Sequence, residues 1–291
     1  KLNLFNYSWV ISSTRFFMTS VTAGIYAKKN KIKWLHIEHG SDFVKLNSKL
    51  KSLLAKMFDY SFGRWILREA DEVVTVSVAA AKFSKRLFSG RDYKVIYRGL
   101  ELNKFKDNQK IKNKYKNKVI ILYSGRLIDG KGVNDLINAV DKVSSNNWIL
   151  LIAGDGSRKN DLKNQVLKLK LKNKVIFLGQ IEREKLLGIL NISDIVVNPS
   201  YTEGLPTSVL EAAKCGKAIV ATNVGGTREI IENNISGILV RPKDISILSQ
   251  KIETLIMDSN LRKQLGQSAK ETVKNKFNWE TSIKDYLNIL K

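Results

Sequence analysis

Short runs dense in Val, Ile and Leu alternate with longer amphipathic stretches along almost all of this 291-residue chain. In the first third the runs are KWLHIEH (33–39), EVVTVS (72–77) and YKVIY (93–97). Further on come KVIILYSG (118–125), NWILLIAG (147–154), KVIFLG (174–179), DIVVNPS (194–200) and KAIVATN (217–223). They lack the apolar–polar alternation of a half-solvated strand, so each is expected to be a strand covered on both faces. Between them, GVNDLINAVDKV (132–143) and REKLLGILNIS (183–193) have the pattern of amphipathic helices. Regular alternation of strand and helix implies an α/β fold, with parallel sheets and crossover helices.

One polar break interrupts the pattern. From Arg98 to Lys118 the chain reads RGLELNKFKDNQKIKNKYKNK, with Lys110, Lys112, Lys114, Lys116 and Lys118 at every second position. The chain is long enough for two domains, each with its own core. The expectation is two Rossmann-like, doubly wound parallel-sheet domains facing a cleft: residues 1–105, and a second domain beginning at 106. Ligands of open α/β sheets bind outside the carboxyl ends of the strands, which places the expected site there.

A content of 43% hydrophobic and 26% charged residues is that of a globular protein. No stretch approaches the ~18 uncharged apolar residues of a membrane span. The opening KLNLFNYSWVISS has no signal-peptide cleavage pattern and no Met, so the chain reads as a fragment. The single cysteine, Cys215, excludes an internal disulfide, suits a reducing cytosol and reads as a small residue at a helix end. The net charge is +23, and residues 1–105 hold 19 Lys and Arg against 8 Asp and Glu. Such a field favours anionic partners such as nucleotides, phosphates or anionic lipid. An AT-rich coding sequence, which enriches Lys, Asn and Ile, accounts for it equally well.

Three strand–glycine–helix junctions stand out. In ILYSGRLIDGKGVNDLI (121–137), Arg126 and Lys131 follow a strand, and Gly125, Gly130 and Gly132 permit close backbone approach. Two cations beside a helix N-terminus suit a diphosphate, although a solvated basic loop has the same composition. AGDGSRKNDL (153–162), with Gly154 and Gly156, and NVGGTREII (223–231), with Glu229, repeat the arrangement, and tight turns or caps explain them as well. A fourth segment, PSYTEGLPTSVLEAAKCG (199–216), places Glu211 among Val209, Leu210, Ala212 and Ala213. A buried carboxylate is costly unless something specific bonds to it. Pro206 is expected in the first helical turn and Gly216 at the stop. A capping box from Ser208 to Glu211 fits the spacing, but Pro206 argues against it by placing Ser208 inside the helix.

Taken together, SGRLIDGKG, AGDG, NPSYTEGLPTSVLEAAKCGKAIVAT with its E-x7-E pair Glu203/Glu211, and GGTREII resemble retaining glycosyltransferases of family 4, of the GT-B fold. The resemblance covers nearly the whole chain. HIEHGSDF (36–43) looks like the family's mid-N-domain strand and loop. VIYRGLELNKF looks like its interdomain linker, with Arg98 where Asn is usual. FNWETSIKDYLNILK resembles the terminal helix that returns to the first domain, so the second domain is expected over 106–278 and residues 279–291 with the first. Family members begin with two or three further β-α units, so the first domain is expected to be truncated.

The resemblance implies roles residue by residue. Glu211 would hydrogen-bond the ribose hydroxyls. Glu203 would contact donor-sugar hydroxyls beside the backbone amides of Gly204, Leu205, Pro206 and Thr207, Pro206 itself having none to give. Arg126 and Lys131 would bind the diphosphate and stabilise its leaving charge, with Gly125 and Gly154 lining the approach. His39 matches the first-domain histidine near the donor sugar, whereas His36 reads as a core strand residue. No cofactor or metal is required; the nucleotide sugar (UDP-, GDP- or ADP-linked) is a substrate. The implied function is transfer to a glycan or lipid-linked acceptor in cell-surface polysaccharide or glycolipid synthesis. The implied location is cytoplasmic, with peripheral placement on the inner face of the plasma membrane. Segment 45–71 interleaves Lys45, Lys49, Lys51, Lys56, Arg64 and Arg68 with Leu and aromatic residues, which suits an anionic membrane surface as well as ordinary core packing. The alternatives are a sugar-nucleotide 2-epimerase of the same fold, and an inactive basic fragment that binds nucleotide or membrane. Nucleic acid is not expected, as there is no zinc-ligand set and no aromatic β platform.

Overall fold

The computed structural model describes residues 7–44, 48–100 and 107–291. Lys45 and the linker residues 101–106 lie outside the described residues. The chain divides into two compact units: residues 1–99 with 203–205 and 277–291, and residues 100–202 with 206–276.

The first unit opens with β1 (Trp9–Ser13), α1 (Met18–Lys29), β2 (Lys33–Glu38) and α2 (Lys49–Phe58). A π-helical turn at Asp59–Gly63 joins α2 to α3 (Arg64–Glu69), and β3 (Glu72–Thr75), α4 (Val78–Leu87) and β4 (Lys94–Val95) follow. The four strands are parallel and lie in sequence order, β1-β2-β3-β4. Right-handed crossovers that all step the same way carry their helices to one face. There Trp34 and Val73 pack with Val21, Ile66, Leu67, Phe83 and Leu87. Their strand neighbours Leu35 and Val74 point the other way, as successive strand residues must.

The second unit contains α5 (Gln109–Lys114), β5 (Val119–Ser124), α6 (Val133–Asp141), β6 (Trp148–Ala153), α7 (Lys159–Lys168) and β7 (Val175–Gly179). It continues with α8 (Arg183–Ile192), β8 (Ile195–Asn198), α9 (Thr207–Lys214), β9 (Ala218–Thr222) and α10 (Thr227–Ile230). It ends with β10 (Ile238–Val240), α11 (Ile245–Met257) and α12 (Ser259–Lys276). The six parallel strands run β10-β9-β8-β5-β6-β7, so the winding reverses between β5 and β8. Alternate residues of β5 and β6, such as Ile121 and Leu150, pack on α6, α7 and α11. Helices α9 and α12 pack toward β8 and β9.

The last helix, α13 (Trp279–Leu290), belongs to the first unit. Tyr286, Ile289 and Leu290 join Leu35, Val74 and Ile96 in a cluster on the sheet face opposite α1–α4. The Trp9 indole donates to the Leu290 carbonyl at 3.0 Å, and the Ser282 hydroxyl to that of Tyr97 at 2.6 Å.

Several boundaries differ from the sequence expectation. β1 and β10 carry no strong signal: β1 is half-exposed along most of its length, and β10 has three residues. β4 is shorter than 93–97, and β2 stops before His39. Pro206 is the N-cap of α9 rather than its first helical residue, with φ −70° and ψ 112°. Ser208 is therefore the second helical residue, and its oxygen accepts from Asn198 Nδ2 at 3.1 Å, which leaves no capping box with Glu211.

Candidate functional site

In the second unit the tips of β5 and β8 flank the reversal of strand order, where open α/β sheets bind ligands. Two contacts tie these tips together. The Tyr201 amide donates to the Gly130 carbonyl at 2.8 Å. Gly132, at φ 64°, caps α6 so close to Pro199 that a Cβ would collide with the Pro199 carbonyl oxygen. Glycine is therefore required twice over at 132, for space and for its left-handed backbone.

The β6 tip joins the same assembly. The Gly125 amide donates to Ala153 at 3.0 Å, and that of Leu127 to Asp155 at 2.8 Å. A Cβ at Gly154 would collide with the Gly125 carbonyl. Tyr123 fixes the turn at Arg126 by donating its hydroxyl to the Arg126 carbonyl at 2.9 Å. Leu127 is fully buried, while the Arg126 side chain is exposed and Lys131 half-buried. Arg126 faces a cavity of about 340 Å³ that Gly125, Gly154, Asp155, Gln180, Ile181 and Leu186 also line.

Glu211 is buried in α9, as its sequence neighbours demanded, and its partner is Arg183 Nη1, 3.0 Å from Oε1. Arg183 is half-exposed and opens α8, directly after the β7 tip that supplies Gln180 and Ile181. Pro206 and Thr207 belong to this unit. Glu203, Gly204 and Leu205 are grouped instead with the first unit, as is His39. Ser41 Oγ donates to the Glu203 carbonyl, and Gly204 leaves no room for a Cβ beside the His39 carbonyl.

Sequence reasoning missed Gln180, Ile181, Leu186, Asp155 and Arg183. The signal was available for the first two, because KVIFLG is a strand and its tip is followed at once by QI. Arg183 opens a segment read only as an amphipathic helix, with no local signal to set it apart. Burial pushes the Cys215 thiol up to about 11, which fits a small residue closing α9. Among the described residues, no group of three or more His, Cys, Asp or Glu is placed to hold a metal ion. No helix among them is long and apolar enough to cross a membrane.

Two parallel-sheet α/β units, the larger with glycine-lined strand tips at a topological switch point, define a GT-B architecture. The family profile described as Glycosyl transferases group 1 matches residues 104–272. An uncharacterized glycosyltransferase of Methanocaldococcus jannaschii is 37% identical over 98% of this chain and 75% of its own length. The capsular polysaccharide biosynthesis glycosyltransferase CapM of Staphylococcus aureus is 28% identical over 66% of this chain and 53% of its own. The crystal structure of Anabaena HepE in complex with UDP and glucose superposes with a TM-score of 0.83. That likeness covers 98% of this chain and 78% of HepE at 23% identity, and it concerns the fold. The chain belongs to the group 1 glycosyltransferases.

His39 offers a pH test. Burial of its imidazole lowers the pKa below the usual 6.5, with Arg98 and His36 adding to the effect and Glu38 opposing it. A histidine lowered on folding binds its proton less readily when folded. Stability should therefore be complete above 6.5 and decline as pH falls from there toward the lower folded value. The chain has two histidines, so a two-dimensional NMR titration resolves both. His39 is expected to titrate below 6.5, and His39→Asn to remove its share of the acid decline; titration at or above 6.5 would contradict the assignment.

Proposed function

We propose that the chain is the donor-binding part of a retaining glycosyltransferase that moves a sugar from a nucleoside-diphosphate sugar to a glycan or lipid-linked acceptor. The observation that carries this reading is the coincidence of the strand-order reversal with the two motif loops. The Arg126–Lys131 loop follows β5, the Glu203–Glu211 segment follows β8, and a hydrogen bond and a glycine contact join the two tips. HepE, of the same fold, is described with UDP and glucose, and CapM with capsular polysaccharide synthesis, which supports the substrate class.

In this reading Arg126 and Lys131 hold the two phosphates by charge-assisted bonds. Glu211 accepts from the ribose hydroxyls, since an ionised carboxylate offers two oxygens to a pair of vicinal donors. Glu203 and the loop around His39 contact the donor sugar. Chemistry breaks the bond from the anomeric carbon to the phosphate oxygen and forms one to the acceptor oxygen on the same face. The acceptor proton passes to the departing phosphate oxygen, so no protein base is required. The cationic pair lowers the energy of the charge that develops there. The sugar nucleotide needs no resident metal or cofactor in this scheme.

Arg126→Ala removes a bond worth roughly 1.5–3 kcal/mol, and should weaken UDP (or GDP or ADP) binding about 10- to 100-fold. It should leave the bare nucleoside almost unaffected. Glu211→Gln should weaken nucleoside and diphosphate alike. Calorimetric titration decides: equal losses for both ligands on Arg126→Ala, or none, would refute the phosphate role.

For the acceptor side we propose peripheral attachment to an anionic membrane through α2, consistent with a cytoplasmic protein on the inner face of the plasma membrane. Leu50, Leu53, Leu54 and Met57 are between 55% and 65% exposed, and Lys51, Lys56, Arg64 and Arg68 are exposed beside them. Leucines left in solvent on a basic helix are what core packing does not produce and an interfacial helix requires. Co-sedimentation with phosphatidylglycerol–phosphatidylcholine vesicles should be strong for the parent chain, weakened by salt, and lost in Leu53→Glu/Leu54→Glu. Unchanged vesicle binding by that variant would exclude α2 as the contact.

A further inference from the structure

The first unit contains a charge cluster that no role above uses. Arg15 is 2% exposed, and both carboxylates that face it, Glu38 and Asp59, are 0% exposed. The guanidinium is held on both sides: Nη1 donates to Glu38 Oε1 at 2.9 Å, and Nε and Nη2 donate to the two Asp59 oxygens at 2.9 and 3.2 Å. Nη2 also donates to the Asp42 carbonyl at 3.2 Å, and the Phe83 ring lies 4.4 Å below the guanidinium carbon. Glu38 Oε1 in turn accepts the Gly40 amide at 2.6 Å, and Oε2 the amide of Arg15 at 3.2 Å.

Behind Glu38 runs a polar chain. The Trp34 indole donates to Ser12 Oγ at 2.8 Å, which leaves the hydroxyl hydrogen for His36 Nδ1, also at 2.8 Å. The network thus assigns the imidazole hydrogen to Nε2, facing Glu38 Oε2 at 3.4 Å. Burial works against ionisation of Glu38, but the bonds from His36 and Gly40 and the charge of Arg15 hold its pKa at about 2.

Local backbone irregularities surround the cluster. Thr14, immediately before Arg15, is a β-branched residue at φ 66°, a conformation that costs free energy. Asp59 begins the π-helical turn, an insertion that re-aims side chains. A Cβ at Gly40 would lie 2.5 Å from Arg15 Nη1, so the loop closes directly over the guanidinium. Burying three charges is poor economy for stability alone, because apolar residues of like volume usually do as well or better. What the cluster does fix is a loop. Arg15 grips residues 39–42 at two points, Asp42 directly and Gly40 through Glu38; Ser41, bonded to Glu203, stands between them and His39 immediately before.

We propose that Arg15 is a positioning residue: with Glu38 and Asp59 it locks the 39–42 loop, and thereby holds His39 and the 203–205 segment in the arrangement that the sugar-transfer step uses. The inference rests on the roles of His39 and Glu203 given under Proposed function. Asp59→Asn and Arg15→Lys test it, since neither alters a residue of the loop itself and a lysine cannot serve both carboxylates bidentately.

Amide hydrogen exchange on the full chain reads the lock. In the parent chain the Gly40 amide should exchange at least about tenfold more slowly than the amides of His39 and Ser41, and equal rates would overturn the proposal even if both variants failed to fold. In the variants, Gly40 exchange should rise about tenfold or more while Leu35 and Val74 keep their protection. Loosening of loop and core together would reduce the cluster to a structural role and overturn it as well. With a donor that turns over, both variants should lower kcat about tenfold at unchanged donor KM and unchanged affinity for the nucleoside diphosphate. A rise in KM alone would also overturn it. Should the parent chain bind no nucleoside diphosphate at all, the transferase reading fails, while the exchange data still decide whether the loop is locked.

Discussion

The second unit depends on how closely two stretches of backbone approach each other at the reversal of strand order. Gly132 lies against the Pro199 carbonyl and Gly130 accepts from Tyr201, so the β5 and β8 tips form one surface. Gly154 against Gly125 extends it to β6. A side chain at Gly132 or Gly154 would force the tips apart. The cations after β5 and Glu211 in α9 would then no longer share an edge of the sheet. The chemistry therefore follows from sterics: parallel strands deliver loops to one edge, and glycines let those loops meet.

How much of this was legible in the sequence depended on the range of the interaction. The buried strands could be read because β5 and β6, covered on both faces, show apolar runs without alternation. The glycine junctions could be read because turn chemistry is local. β1 escaped because four of its five residues are only partly covered or exposed, Trp9, Val10 and Ile11 among them, so no continuous buried run marks it. Pro206 falls one position earlier than expected because the extended φ and ψ of an N-cap suit proline as well as the first helical turn does. The partner of Glu211 could not be read. Arg183 stands 28 positions before it in a charged helix start, and only the fold brings the two within 3.0 Å. The cluster around Arg15 was hidden for the same reason, since its partners lie 23 and 44 positions away. Of its members only His36 was singled out in the sequence, as a core strand residue, and it is fully buried.

Charge tells a similar story at two scales. The excess of +23 is spread over the whole chain and by itself identifies no ligand. The informative charges are those whose surroundings are specific: Arg126 above a glycine-lined cavity, Glu211 buried against one arginine, and Arg15 enclosed by two carboxylates. The buried two cost desolvation that a solvated lysine avoids, and each of the three lies at, or behind, a loop that the proposed transferase mechanism uses.

The central claim is that the strand tips of the second unit bind a nucleoside diphosphate. It is tested most directly by mapping amide chemical shifts of the labelled chain during titration with UDP, GDP and ADP. The account predicts that one of the three shifts Gly125, Arg126, Gly154, Ile181 and Glu211 together, saturably and with a common dissociation constant. Shifts confined to the basic face of α2, or scattered over surface lysines and abolished by moderate salt, would contradict it.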